Sequence, residues 1–157
     1  MQARKLITDR RERQSLRTWL ELMRCAKTIE MRLSTNLRRD FGQSFSRFDV
    51  LAQLYRADDR TLPVTALASS LLASASKNIT GLIDRMADDD LVERQPHPAD
   101  RRSFIVRLTG KGASLFEQMA MQHSHWVSDG FDGLSGSALK SMHVSLTALR
   151  KHLEQAE

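Results

Sequence analysis

Cysteine is almost missing from this chain of 157 residues: Cys25 stands alone, so no internal disulfide can form and a reducing cytoplasm is the expected compartment. Three prolines and seven glycines are too few for a low-complexity or linker-rich chain. No apolar run approaches the roughly 18 residues that a membrane span requires, and no secretory segment follows Met1, so no membrane partner is expected. The motifs of common enzymes are missing too: there is no phosphate-cradling glycine loop, no HExxH, no GxSxG and no carboxylate pair in a recognisable frame. An enzyme is therefore not expected, and no cofactor is implied. Metal binding is not expected either, since His123 and His125 diverge on a helix while His143 and His152 are isolated.

What is present is an ordinary globular composition, 41% hydrophobic, in one domain or one closely joined pair. The net charge of +5 allows a polyanionic partner, but its distribution is uneven. Residues 1–40 carry 11 Lys and Arg against 5 Asp and Glu, while the remainder is balanced at 13 against 14.

From about Asp9 to Arg39 no Gly or Pro interrupts a stripe of Leu16, Trp19 or Leu20, Met23, Ala26, Leu33 and Leu37 at helical spacing. Such a helix is about 45 Å long, too long to bury its stripe against one small domain, so part of it should pack on a second copy. Phe41-Gly42 breaks it, and Ser46 with Asp49 resembles a capping box opening the next helix. Thr61–Pro63 reads as a minimal strand, and residues 64–72 as a short helix. Thr109 is placed to cap a long helix reaching about Asp129. A final helix carries Leu139, Met142, Leu146, Leu149 and Leu153.

The stretch from Leu67 to Leu108 organises the rest. A helix expected to begin near Ser76 turns Ile79, Leu82, Ile83 and Met86 to the core and leaves Lys77, Asn78, Thr80, Gly81 and Asp84 largely on the other side. Short donors and acceptors near a helix N-terminus suit a DNA major groove, because nothing bulky blocks their approach to base edges. After Leu91 the period changes to two: Leu91–Gln95 and Ser103–Leu108 read as a ribbon with Phe104, Val106 and Leu108 on one side. The turn between them, His97-Pro98-Ala99-Asp100-Arg101-Arg102, puts two guanidinium groups at an exposed tip, a shape and charge suited to phosphates or a narrow minor groove.

The runs ITGLIDRM, DLVERQPHPADRRS and VRLTGKG, with SRFDVLAQL upstream, resemble the winged helix-turn-helix of the MarR family of transcription regulators. The resemblance covers almost the whole chain, and Asp100-Arg101-Arg102 followed by Leu108-Thr109 is its most specific part. Two departures stand out. Leu71–Lys77 is one residue longer than the usual pattern, and Asp90 replaces the usual glycine, although Asp tolerates the left-handed position that ends a helix.

The resemblance implies a mainly α protein with a small β-wing, and long N- and C-terminal helices for dimerisation. Residues 1–45 would form the arm and dimerisation helix, 46–108 the winged helix-turn-helix, and 109–157 the C-terminal dimerisation helices. It implies a homodimer on double-stranded DNA with a pseudo-palindromic operator, its recognition helices in successive major grooves. Lys77, Asn78, Thr80 and Gly81 would face the groove, with Ser74 and Ser76 near the helix start. Arg102 would probe the minor groove, steadied by Asp100, and Arg101 would meet a phosphate.

It further implies a repressor released by a small aromatic acid, a phenolic compound or its coenzyme A thioester. Trp19, Met23, Phe48 and Leu51 would form apolar walls, and Arg24 or His123 a carboxylate partner. Two alternatives stay open: a redox sensor acting through Cys25, and a winged helix that binds protein instead of DNA. The arginine pair at the wing favours DNA over the latter.

Overall fold

A computed structural model describes residues 9–72, 78–100 and 103–155. Helix α1 (Arg10–Phe41) starts where Asp9 accepts the Arg11 amide at 3.1 Å and stops at Gly42, whose φ of 64° is the left-handed value that glycine adopts at no steric penalty. Helix α2 (Phe45–Arg56) is capped by Ser44, whose hydroxyl accepts the Arg47 amide at 3.3 Å. The expected cap, Ser46, instead lies inside this helix. Asp49 is not a capping partner either: it is buried, and its carboxylate accepts the Leu72 amide at 2.6 Å, tying the segment after α3 (Val64–Ser70) to α2.

A short 3-10 turn, Asp58–Arg60, leads into strand β1 (Thr61–Pro63). After α4 (Ile79–Asp88), β2 (Val92–Pro96) and β3 (Phe104–Leu108) form the hairpin. The two-stranded ribbon expected from the sequence is in fact a three-stranded antiparallel sheet ordered β1-β3-β2, with Leu62 and Arg94 both opposite Val106. The hairpin is thereby fixed at its base on both sides of β3. Helix α5 (Gly110–Phe131) follows Thr109, whose hydroxyl accepts the Gly112 amide at 2.9 Å, as its position before the helix suggested.

The chain divides into two compact units, one ending at Gln122 and one beginning at His123. In the first, Leu37 of α1, Val50, Leu51 and Leu54 of α2, Leu67 of α3, Ile83 and Met86 of α4, Val92 and Val106 of the sheet and Met119 of α5 are fully buried. Aromatic rings bind α2 to α5: Phe116 lies 5.6 Å from Phe48 and 4.8 Å from Tyr55 between ring centroids. The second unit contains the end of α5 and helix α6 (Gly136–Glu154), capped by Ser135, which accepts the Ala138 amide at 3.2 Å. Not one residue of α6 is buried. Among the described residues, no helix is long and apolar enough to cross a membrane.

Candidate nucleic-acid interface

Helix α4 begins at Ile79, later than the start expected near Ser76, because Asn78 leaves helical geometry (φ −144°) and caps the helix by accepting the Gly81 amide at 3.3 Å. Gly81 leaves room over this cap. A Cβ there would lie 3.0 Å from Asn78 Oδ1 and 3.1 Å from its Nδ2, so the absent side chain is the space into which the cap folds. Leu82, Ile83 and Met86 are buried beneath, while Asn78 and Thr80 are exposed on the outer face. Of the predicted major-groove residues, the structure thus joins Asn78 to Gly81 and leaves Thr80 open. Ser74, Ser76 and Lys77 lie outside the described residues.

The far end of α4 is held by three neighbours. Asp90 takes the left-handed conformation (φ 59°) expected of it, and the amides of Asp90 and Leu91 return to the carbonyls of Ala87 and Met86, both at 2.9 Å. Arg47 of α2 reaches across to the Asp89 carboxylate at 2.7 Å and the Arg85 carbonyl at 3.3 Å. From α5, Lys111 donates to the Asp89 carbonyl at 2.8 Å, and the Thr109 hydroxyl donates to the Asp90 carbonyl at 2.7 Å. Cations at this end also complement the partial negative charge of a helix C-terminus. The approach is close: a Cβ on Gly112 would stand 2.1 Å from the Leu91 carbonyl oxygen.

The wing turn is shaped by a histidine. His97 Nδ1 accepts the amides of Ala99 and Asp100 at 3.2 and 3.1 Å, and Ser103 donates to the Asp100 carbonyl at 3.0 Å. Asp100 is exposed. Arg101 and Arg102, the predicted phosphate and minor-groove contacts, fall outside the described residues.

Sequence reasoning missed Arg94. Its position opposite Val106 puts it on the inward side of the hairpin, with Val92 and Leu108, where an apolar residue is the rule. There its guanidinium lies 3.9 Å from the centroid of the Phe104 ring and pairs with Asp84 of α4. The register alone marks Arg94 as a charge that needs a partner; that the partner is Asp84 follows only from the tertiary fold.

The predicted effector residues lie in different environments. Phe48 and Leu51 are buried on α2, whereas Trp19 and Met23 are 54% and 53% exposed on α1. Arg24 is paired to Glu21 at 2.8 Å on the same exposed stretch, Cys25 is exposed, and His123 belongs to the second unit. Among the described residues, no cluster of three or more His, Cys, Asp or Glu could hold a metal ion.

The MarR family model matches residues 44–104, from the α2 cap into the second wing strand. The HTH-type transcriptional repressor YetL of Bacillus subtilis is 32% identical over 105 residues, which span 67% of this chain and 62% of that protein. The match therefore covers less than two thirds of that relative's length. Among solved structures, AbsC of Streptomyces coelicolor, a MarR family transcriptional regulator, superposes with a TM-score of 0.76 at 24% identity, covering 95% of this chain and 98% of that one. Sco3205 from the same organism, solved in complex with DNA, gives 0.73 at 24% identity over 87% and 85% of the two chains. These relatives are regulators and not enzymes. Matched across its capped helix, its wing and its flanking helices, the chain belongs to the MarR family of DNA-binding transcriptional regulators.

Proposed function

We propose that the protein is a homodimeric, sequence-specific repressor that binds a pseudo-palindromic operator and is released by a small aromatic acid, a phenolic compound or a coenzyme A thioester of one. The observation that carries the DNA reading is the outer face of α4: Asn78 and Thr80 are exposed beside a projecting hairpin, while the opposite face is anchored in the core. Small polar groups at the start of a firmly seated helix suit major-groove readout. Sco3205, of the same fold, has been solved on DNA, and YetL is named a repressor.

A second copy is supported by α1. Every residue from Arg10 to Thr28 is exposed, including Leu16, Trp19, Leu20 and Met23. An apolar row of this length is normally covered in a stable protein. We assign residues 1–45 and 109–157 to the dimer, and 46–108 to reading DNA.

The effector reading rests on the aromatic and thioether groups of Trp19 and Met23 together with the Arg24 charge, which suit an aromatic carboxylate once a second chain encloses them. The exposed thiol of Cys25 favours peroxide sensing as a second reading, which unchanged DNA release by peroxide in a Cys25→Ser variant would eliminate.

Selection of bound duplexes from a random pool at two salt concentrations tests the main reading. A two-fold-related site whose affinity falls steeply with salt is the expected result. Arg102→Ala should weaken that binding by about 1–3 kcal/mol without changing the fold. Unchanged affinity would instead favour a protein-binding wing. Since linkage is reciprocal, an effector that releases DNA must bind the free dimer more tightly than the operator complex.

A further inference from the structure

An isolated two-stranded hairpin is at best marginally stable, so a wing that works as a DNA probe needs a stay near its outer end. The base is secured by β1, which pairs only as far as Pro63 opposite Ile105. From within that register, opposite Val106, the Arg94 side chain reaches one position past it to stack on Phe104 of the opposite strand, and it pairs with Asp84 on α4. Arg94 and Phe104 are diagonal neighbours, since Pro96 is the residue directly opposite Phe104. The contact therefore spans both strands and the recognition helix at once.

We propose that Arg94 is a positioning residue that fixes the angle between the recognition helix and the wing, so that one rigid body meets the major groove and the neighbouring minor groove together. The proposal rests on the DNA-binding reading above. Arg94 acts by geometry rather than by contributing much stability: the ion pair is exposed, with side-chain accessibilities of 40% and 48%, and such pairs add little to folding. A planar guanidinium can stack on a ring and pair with a carboxylate simultaneously, which a lysine ammonium does less well. Two probes that must engage separate grooves lose affinity when their relative orientation is free, because binding must then order the joint.

The rival role for an arginine at this place is a direct phosphate contact, and the two roles predict opposite signs at Asp84. If Arg94 only supplied charge to DNA, Asp84→Asn would remove a repelling anion from the recognition helix and tighten binding. If Arg94 positions, Asp84→Asn weakens binding. The experiment is operator titration of the full-length dimer across a salt series for the wild type, Asp84→Asn, Arg94→Gln and the double variant. Each single variant is expected to bind roughly three- to tenfold more weakly, and the double variant no worse than the weaker single one, because the pair acts as a unit. The slope of log affinity against log salt should stay that of the wild type. Arg94→Lys should recover part of the loss.

Tighter binding by Asp84→Asn, or a slope reduced by about 0.9 in Arg94→Gln, would overturn the proposal in favour of a phosphate contact. Amide hydrogen exchange on the DNA-free dimer gives an independent readout. Arg94→Gln should speed exchange in Val92–Pro96 and Phe104–Leu108 while α2 keeps its protection; unchanged exchange in the hairpin would also overturn it. If the wild type binds no duplex, the DNA reading has failed, and the exchange result alone decides whether Arg94 holds the wing.

Discussion

The segment from α2 to the start of α5 and the first half of α1 are built from similar fractions of apolar side chains, yet they use them differently. In the former, Val50, Leu51, Leu54, Leu67, Ile83, Met86 and Val106 are fully buried. In the latter, Leu16, Trp19, Leu20 and Met23 stay exposed, and α6 is likewise without a buried residue. The helix-turn-helix segment buries the first of these sets within one chain. Helices α1 and α6 carry apolar side chains left exposed in the chain, so if they form the proposed dimer the two regions should respond to mutation in distinct ways: stability in one, association in the other.

The largest effect should come from Gly112. Ala at this position places its Cβ 2.1 Å from the Leu91 carbonyl oxygen, a backbone atom that cannot swing aside. Gly112→Ala is expected to lower the unfolding free energy by roughly 3 kcal/mol, the upper part of the usual range for overpacking, as read by urea denaturation. A loss under about 0.5 kcal/mol would mean that α5 can draw back from the recognition helix without penalty.

Leu146→Asp probes the other region. Leu146 is exposed in the chain, so the variant should leave the monomer folded yet shift sedimentation from dimer to monomer at micromolar concentration. A dimer that persists unchanged would remove α6 from the interface.

The smallest effect concerns Tyr55, the one tyrosine in the sequence. Its hydroxyl donates to Glu117 at 2.8 Å, and this hydrogen bond, with some burial, holds the phenol above its ordinary pKa. A proton retained in the folded state stabilises it below the unfolded value of about 10, and that contribution is lost as pH rises through the folded pKa. Phenolate absorbance should therefore appear at higher pH in the native protein than in the unfolded chain, and Glu117→Ala should remove most of the difference.

Most of the fold was legible because its signals are local. A 3.6-residue stripe marked α1 and α6, the change to a two-residue period marked the hairpin, and Asp90 announced a left-handed helix end that the structure has (φ 59°). Local signals failed where two alternatives had equal chemistry. Ser44 and Ser46 are both good caps; the helix starts at Phe45 with Ser44 as its cap, and Asp49 accepts the Leu72 amide instead of serving a cap. The cap of α4 was not foreseen: Asn78, expected to face the groove, accepts the Gly81 amide, and the start expected near Ser76 falls among residues outside those described. In the site, the polar face of α4 was readable from periodicity. The ties that aim it were not, because Arg47–Asp89 and Arg94–Asp84 join residues brought together only by the tertiary fold.

The side-chain ties lie on the second half of α4, Arg94 meeting Asp84 at its middle and the others its last turn. Arg47, Lys111 and Thr109 grip its last turn, whereas Asn78 at its start is exposed. Ten residues make a lever of about 15 Å, and a tilt of about 10° at the gripped end moves the free end by about 2.6 Å. That is nearly the length of a hydrogen bond, enough to lift a donor away from a base edge. Helices α2 and α5 need only shift slightly against each other for the reading end to lose its register.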